Sequence, residues 1–353
     1  MSELNDNHSK ETLLGNTITE LRQIVKDLSL PSFVATQLAY WLYKTNIKSL
    51  NEMSNISKKA RGILAENYDL GIVAPIKEQA SLDGTRKYLY PVNQNKFIET
   101  AYIPEERRNT LCISSQVGCK MGCLFCATGK QGFQANLTPG QIVNQLRSLP
   151  ERDQVSNIVF MGMGEPFDNL DSVMKAQEIL TSEYGFSLSI RRVTVSTIGI
   201  IPAMDIYLHQ SKCNLAISMH SPFDEERRQL MPIQHVYPIK EVIAAVQRAN
   251  LDKYRKVSIE YIVFDGLNDT QRHVKELARL LNKIRCKINL IRFHPVPDVP
   301  LPPTDEDRMM LFQKALNNKG IITTIRASRG IDIDAACGLL STKALMKQNI
   351  TDF

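Results

Sequence analysis

The sequence predicts an α/β chain whose main body is a partial, TIM-like (β/α)6 barrel, preceded by a small all-α N-terminal domain. Three observations predict it. From residue 110 onward six short β-rich runs recur, "TLCISS", "SNIVFMGMG", "RRVTVST", "CNLAISMH", "KVSIEYIVF" and "KINLIRFHPV", and amphipathic stretches such as "TPGQIVNQLRSL", "VIAAVQRAN" and "HVKELARLLNKI" separate them. Strand followed by helix, six times over, is the pattern of a parallel sheet with helices outside, too few units for a closed eight-fold barrel. The chemically unusual residues fall at the ends of these runs, and parallel sheets carry their active groups at the carboxyl ends of the strands. Ahead of the sheet, residues 16 to about 74 show only helical periodicity.

The elements follow in order. Residues 1–15 begin with "MSELNDNHSK", polar and without the apolar stretch of a secretory signal, and are expected to form a disordered tail. Residues 16–75 form the helical accessory domain. Ile18, Leu21, Ile24, Val25 and Leu28 recur at helical spacing with Asn16 or Thr17 able to cap, and Phe33, Leu38, Trp41 and Leu42 repeat the pattern. No catalytic cluster lies there, so packing and substrate-gripping roles stand about level. Residues 76–104 read as a hairpin-like linker, "RKYLYPV" and "KFIETAYIP" flanking the turn signal "NQN". The barrel core occupies 105–345.

Composition bounds the class. The chain has 353 residues, 43% hydrophobic and 23% charged, with a net charge of +6, which tolerates an anionic partner without requiring one. No run of eighteen apolar residues occurs, so no membrane span is expected. Seven cysteines in a chain this long are not a disulfide framework, and the reducing cytoplasm is the expected setting, where clustered thiols mean metal or redox chemistry.

Three of the seven stand in "CKMGCLFC", as Cys119, Cys123 and Cys126, on the loop after the first barrel strand. Structural zinc closes four ligands in paired sets, and no second pair follows. A [4Fe–4S] cluster has four irons, so three thiolates leave one iron open.

This motif resembles the signature of radical S-adenosylmethionine (SAM) enzymes, Phe125 before the last cysteine included. With "TLCISSQVGCKMGCLFCATGKQGF", "FMGMGEP", "HSPFDEERRQLMPI" and "RASRGIDIDAACG" in this order, residues 80 to 340 are similar to the RlmN/Cfr family of radical SAM rRNA adenine methyltransferases, its RlmN branch above all. The resemblance implies a radical SAM barrel, a [4Fe–4S] cluster on Cys119, Cys123 and Cys126, and two SAM molecules per turnover. It implies 23S rRNA and a tRNA anticodon-loop adenine as substrates, and an electron donor such as flavodoxin or ferredoxin. A monomer is expected.

Adenine C2 lies between two ring nitrogens and is electron-poor, so it does not attack the methyl of SAM directly. The resemblance implies a way round. Cys337 would carry the methyl as S-methylcysteine, a thiolate being the strong nucleophile among side chains. Cys112 would resolve the covalent adduct through a disulfide, and Glu99 matches the family's proton acceptor. Gly164 and Glu165 in "GMGEP", Ser196, Ser218, Met219, His220 and His294 match SAM contacts, Glu165 as acceptor for the SAM ammonium. The pattern departs at His294, where asparagine is expected, at Arg292 in place of proline and at Leu339 in place of glutamine. Cys213 and Cys286 match nothing.

RNA phosphates would find cations at Arg107–Arg108, Arg191–Arg192, Arg227–Arg228, Arg326 and Arg329, with solvated surface charge as the competing reading of each. The C8-directed Cfr type, another radical SAM activase or maturase, and a non-enzymatic iron–sulfur or zinc RNA-binding protein are the alternatives.

Overall fold

The computed structural model describes residues 10–93, 95–249, 251–252 and 254–342. The first nine residues of the expected tail and the last three of the expected core lie outside that set. The tail is shorter than expected: β1 (Glu11–Thr12) pairs in parallel with β2 (Tyr68–Asp69), and Leu13 and Leu14 are buried.

Three helices build the N-terminal domain. In α1 (Ile18–Asp27) Thr17 and Glu20 close a capping box, and Leu21 and Val25 are buried. Helix α2 (Val34–Tyr43) buries Leu38 and Leu42, and α3 (Lys58–Asn67) starts at Ser57, whose hydroxyl accepts the Ala60 N–H. The domain is fastened to the barrel. Arg147 is buried and donates to the carbonyls of Leu42 (2.6 Å) and Ile47 (3.2 Å) and to Asn46 Oδ1 (3.0 Å). Gly15, at φ +97°, lies so close to Gly140 that a Cβ would stand 2.2 Å from the Gly140 nitrogen. These contacts give the domain a packing role.

One ten-stranded sheet forms the body. It contains β3 (Lys77–Ala80), β4 (Arg86–Asn93), β5 (Lys96–Glu105) and β6 (Arg108–Cys112), and a small separate pair follows, β7 (Gln116–Val117) with β8 (Ala135–Asn136). The sheet continues through β9 (Asn157–Phe160), β10 (Val193–Thr197), β11 (Asn214–Ser218), β12 (Val257–Val263), β13 (Cys286–Arg292) and β14 (Thr323–Ile325). Its order is β14-β13-β12-β11-β10-β9-β6-β5-β4-β3, parallel from β6 through β14 and antiparallel from β3 to β6. Helices α4 (Ala127–Gln131), α5 (Pro139–Arg147), α6 (Leu170–Thr181), α7 (Ile201–Gln210), α8 (Asp224–Leu230), α9 (Ile239–Arg248), α10 (Gln271–Leu281) and α11 (Glu306–Asn318) connect the strands.

The six anticipated barrel strands are β6 and β9 to β13. The sheet adds a seventh parallel strand, β14, whose three residues are too few to show a period. The hairpin of 76–104 is not a linker. Strand β5 pairs with β6 at Ala101↔Cys112 and Tyr102↔Leu111, so the hairpin continues the barrel wall.

The segment after β14 spans the gap between the sheet's two edges. The Gly330 N–H donates to Asp83 Oδ2 (2.9 Å), while Asp332 accepts from the Ser81 hydroxyl (2.6 Å) and the Leu82 N–H (3.2 Å). Farther on, the Ala127 N–H donates to the Gly338 carbonyl (2.8 Å) and the Thr128 hydroxyl to that of Leu340 (2.6 Å). No helix among the described residues is long and apolar enough to cross a membrane.

Candidate active site

Between β7 and α4 the chain carries Cys119, Cys123 and Cys126 through one tight loop. Gly118, at φ +70°, allows it: a Cβ there would lie 1.7 Å from the Gly132 carbonyl oxygen. The thiols pack among Met121, Phe125, Ile198, Met231, Ile262 and Phe264. Burial pushes the Cys119 thiol up to about 12 and raises Cys123 and Cys126; Cys126 raises Cys119, Cys126 and Cys119 raise Cys123, and Cys337 raises Cys126. Bare, they hold their protons; bound to a metal, ligating thiols lose them. Among the described residues, no three of His, Cys, Asp and Glu converge as a single ion would require. Thiols spread along a loop suit separate corners of a polynuclear cluster instead.

The charge beside them agrees. Arg227 is fully buried and makes no ion pair among the described residues; burial lowers its pKa to about 10. Its guanidinium donates to the carbonyls of Ile198 (2.7 Å) and Met219 (3.2 Å) and to Gln234 Oε1 (2.6 Å), and its charge acts on Cys123. A buried cation without a carboxylate fits contents that carry net negative charge, as three thiolates on an iron–sulfur cluster do. The reading of Arg227 as a phosphate contact is therefore wrong: it cannot reach solvent. Arg228 pairs with Glu225 on the surface.

A cavity of about 150 Å³ adjoins the three cysteines, and Gly164, Glu165, Ser196, Ser218 and His220, which match SAM contacts by resemblance, are among the residues that line it. Gly164 sits at φ +99°, where a Cβ would be 2.6 Å from that of Gln116. Glu165 has both oxygens engaged by the Phe167 and Ile198 N–H groups (3.0 Å each), which ties the ends of β9 and β10 together; burial pushes its pKa to about 7. The Thr197 side chain also hydrogen-bonds this carboxylate, which with three of its four acceptor positions used keeps one for a ligand. His220 accepts the Ile262 N–H at Nδ1 (2.9 Å) and stacks edge-on to Phe125 with centroids 4.6 Å apart. Burial and Arg227 lower its pKa to about 3, so it is neutral with its proton on Nε2, a donor. Met219 differs from expectation. Its side chain is buried in the main core and lies off the cavity wall.

A second cavity, about 560 Å³, occupies the barrel lumen. Cys112, at the end of β6, lines it, as does His294, whose Nε2 lies 2.8 Å from the Ser328 hydroxyl. His294 thus belongs to the lumen and not to the cavity beside the three cysteines. Burial pushes the Cys112 thiol to about 12, Cys337 adds to this and Arg326 opposes it. Cys337 lines both cavities, and so do Met161, Glu260 and Leu340. Arg326 donates to Met161 Sδ (3.4 Å) and lies 3.7 Å from Glu260, and the charges of Cys337, Glu260 and Cys112 raise its pKa.

All seven cysteines are free, so the disulfide through which Cys112 would resolve the adduct is not formed between Cys112 and Cys337 in this structure. Cys213 and Cys286 line neither cavity. Glu99 also lines neither. It is buried, its Oε1 3.1 Å from Lys87 Nζ and its Oε2 accepting the Ser341 N–H (2.9 Å) from behind the cysteine loop. Sequence reasoning missed Glu260, whose only signal is its inward phase in "KVSIEYIVF".

Comparison with known proteins adds the following. The sequence model described as the Radical SAM superfamily matches residues 113–281, and that of the ribosomal RNA large subunit methyltransferase N-terminal domain matches residues 12–70. A protein of Bacteroides thetaiotaomicron named "Probable dual-specificity RNA methyltransferase RlmN" is 52% identical, covering 97% of this chain and 99% of its own. One of Syntrophus aciditrophicus named "Dual-specificity RNA methyltransferase RlmN" is 42% identical, covering 93% and 96%. The crystal structure of a radical SAM methyltransferase from Sphaerobacter thermophilus superposes with a TM-score of 0.88 at 38% identity, covering 94% of this chain and 99% of that one.

Proposed function

We infer the function from one premise: the chain belongs to the RlmN family of radical SAM RNA methyltransferases. Membership makes it an enzyme and implies a [4Fe–4S] cluster and SAM, which sets aside the activase, maturase and non-enzymatic readings. The finer reading is that it methylates C2 of an adenine in 23S rRNA and in a tRNA anticodon loop, through a methyl carried on Cys337. One observation supports it above the rest: Cys337 lies on the wall of both cavities, beside the three-cysteine loop on one side and Cys112 on the other.

When bound at Cys119, Cys123 and Cys126, the cluster with SAM supplies a transferable methyl group and a hydrogen-abstracting radical. The chain's own residues do the rest. Gly164 lets the β9 turn approach a ligand closely, Glu165 offers a lone pair to an ammonium, and neutral His220 offers an Nε2–H. Cys337 accepts the methyl on Sγ and presents it to the lumen. Cys112 lines the lumen with it as the second thiol. Its sulfur bonds to Cys337 Sγ, the S–C bond to the RNA-bound methylene breaks, and that carbon takes up a proton to become the methyl group. An external dithiol reduces the Cys112–Cys337 disulfide that forms. Arg326, among Cys112, Cys337 and Glu260, stabilises whichever thiol is ionised. Glu99 positions the cysteine loop through Ser341. A flavodoxin or ferredoxin donates the electron, and the protein works as a monomer in the cytoplasm.

Mass spectrometry of RNA after reaction with reconstituted enzyme tests this. Cys337→Ala is expected to abolish methylation and Cys286→Ala to leave it intact, with the methyl on C2. Full activity in Cys337→Ala ends the carrier reading, and a methyl on C8 ends the C2 assignment.

A further inference from the structure

Eight-fold barrels of this kind fill their lumen with bulky branched side chains. This lumen is filled differently, in layers along the strand axis. Its middle layer is short and largely polar, with Thr110, Thr194, Ser258, Asn289 and Thr324 pointing inward, and an open space of about 560 Å³ remains, within the range of about 300–1,000 Å³ typical of ligand sites. Its inner end, toward the carboxyl ends of the strands, holds Cys112, Cys337 and Glu260. Its outer end, at the amino ends, holds Arg108, Arg191, Lys256 and Lys287.

The outer layer is short of negative charge. Arg108 pairs with Glu105 (2.5 Å) and Arg191 lies over the Tyr254 ring (5.0 Å), but neither Lys256 nor Lys287 makes an ion pair among the described residues. Lys287 is half-buried. Burial lowers its pKa, Glu260 opposes this, and Arg108, Arg326 and Lys256 add to it. At the inner end Glu260 is 3% exposed; its Oε1 accepts from Ser258 (2.8 Å) and Asn289 (2.7 Å), while its Oε2 has no hydrogen-bond partner and faces the Arg326 guanidinium at 3.7 Å. The cavity thus combines an unsatisfied acceptor inside with unpaired cations at its mouth. An amino-bearing base on a phosphate backbone complements both.

We propose that the extruded adenosine enters the lumen from the amino ends of the strands, and that Lys287, Lys256, Arg191 and Arg108 hold the phosphates flanking it. This rests on the RNA-methylating reading and gives it a direction of approach. The opposite end is occupied by the three-cysteine loop, α4 and the Cys337 loop, bonded to one another at Ala127–Gly338 and Thr128–Leu340. From Cys112 back to Arg108 is four residues of β6, roughly 13 Å at about 3.3 Å per residue. A nucleotide still joined to its neighbours, met by long basic side chains, covers that span; a free base does not. Extruding a base from a loop is cheapest where it is already unpaired.

The test compares Lys256→Glu, Arg191→Glu and Lys287→Glu with Lys314→Glu, an exposed cation on α11 that lines neither cavity. Three readings are taken on the reconstituted enzyme: the KM for RNA, the salt dependence of RNA binding, and 5′-deoxyadenosine formation without RNA. The rim variants are expected to raise KM about tenfold or more and to lower the log–log salt slope by about 0.7 for each phosphate no longer neutralised, with deoxyadenosine formation unchanged. Lys314→Glu is expected to match the wild type. Rim variants with wild-type KM and slope overturn the direction of approach while leaving the function standing. Wild-type enzyme that forms deoxyadenosine but never methylates RNA overturns both. Should Lys287→Glu not fold, the exposed Lys256 and Arg191 variants decide alone.

Discussion

Two cysteine-bearing loops meet over the carboxyl ends of the barrel strands, where Cys337 packs against the same apolar cluster as Cys119 and Cys126, but the rest of each loop is held differently. The loop of Cys119, Cys123 and Cys126 sits in an apolar shell around a buried arginine. The loop of Cys337 is held by polar contacts with distant parts of the chain: Ser81, Leu82 and Asp83 on the hairpin side, Glu99 behind Ser341, and Thr128 and Gln131 on α4. An apolar shell around fixed ligands resists rearrangement. Hydrogen bonds at an exposed edge, such as those to Asp332, exchange with water at small net cost. The first loop suits a site that must not change during turnover, and the second suits a thiol that takes up a group on one side and delivers it on the other.

The largest expected effect tests that division of labour. Cys126→Ala should lose both iron and deoxyadenosine formation, taking methylation to background. Cys112→Ala should keep iron and deoxyadenosine formation and accumulate a covalent RNA–protein adduct, visible as a shifted band on a denaturing gel. An adduct that never appears would remove Cys112 from the release step and make the two loops parts of one undivided site.

Next in size is the ion pair behind the Cys337 loop. Burial raises the Glu99 pKa, against the pull of Lys87 and of the Ser341 N–H. The folded state therefore holds this proton more tightly than the unfolded state, so Glu99 makes stability fall as pH rises above its ordinary 4.5. Lys87→Met should steepen that fall, costing about 3 kcal/mol or more at neutral pH, where an ionised buried carboxylate is left alone. At pH 4, where Glu99 is protonated, the cost should shrink, and Glu99→Gln in the same protein should remove it at both pH values. Urea titrations at the two pH values measure it; an equal loss at both would mean that Lys87 acts through packing alone.

How much of this was legible follows the same division. The three-cysteine motif is contiguous, so the spacing in "CKMGCLFC" carries the chemistry without knowledge of the fold. Gly164, Glu165, Ser196, Ser218 and His220 were legible because they end strands, and strand ends are visible as changes of texture. Residues whose meaning depends on long-range packing were not. Arg227 reads as one of a surface pair, yet the turn between β11 and α8 folds it inward onto main-chain carbonyls. Glu99 reads as a free carboxylate because Lys87 faces it only after β4 and β5 pair. Glu260 alternates with apolar residues after Lys256 and Ser258, and only the curved wall turns it toward two cavities.

On the cluster side, Arg227→Met should cost about 3 kcal/mol, since several buried carbonyl acceptors lose their donor at about 1 kcal/mol or more each. Denaturant melts of the iron-free protein report it. A variant as stable as the wild type would mean that the apolar shell needs no arginine, leaving only the charge of the bound cluster to account for it.

The smallest effect is the most direct probe of the Cys337 loop. Asp332 is exposed and accepts from the Ser81 hydroxyl and the Leu82 N–H, which hold its pKa down. Asp332→Ala removes both bonds without opening any core, so global stability should not move. What should change is how often the loop lifts. Alkylation of Cys337 should quicken several-fold, while Cys112, fixed on β6 and buried, should react at its wild-type rate. Mass spectrometry of the two labelled peptides separates the outcomes. Equal acceleration of both thiols would mean that the latch controls the lumen as a whole, and no acceleration of either would mean that the α4 contacts hold the loop without it.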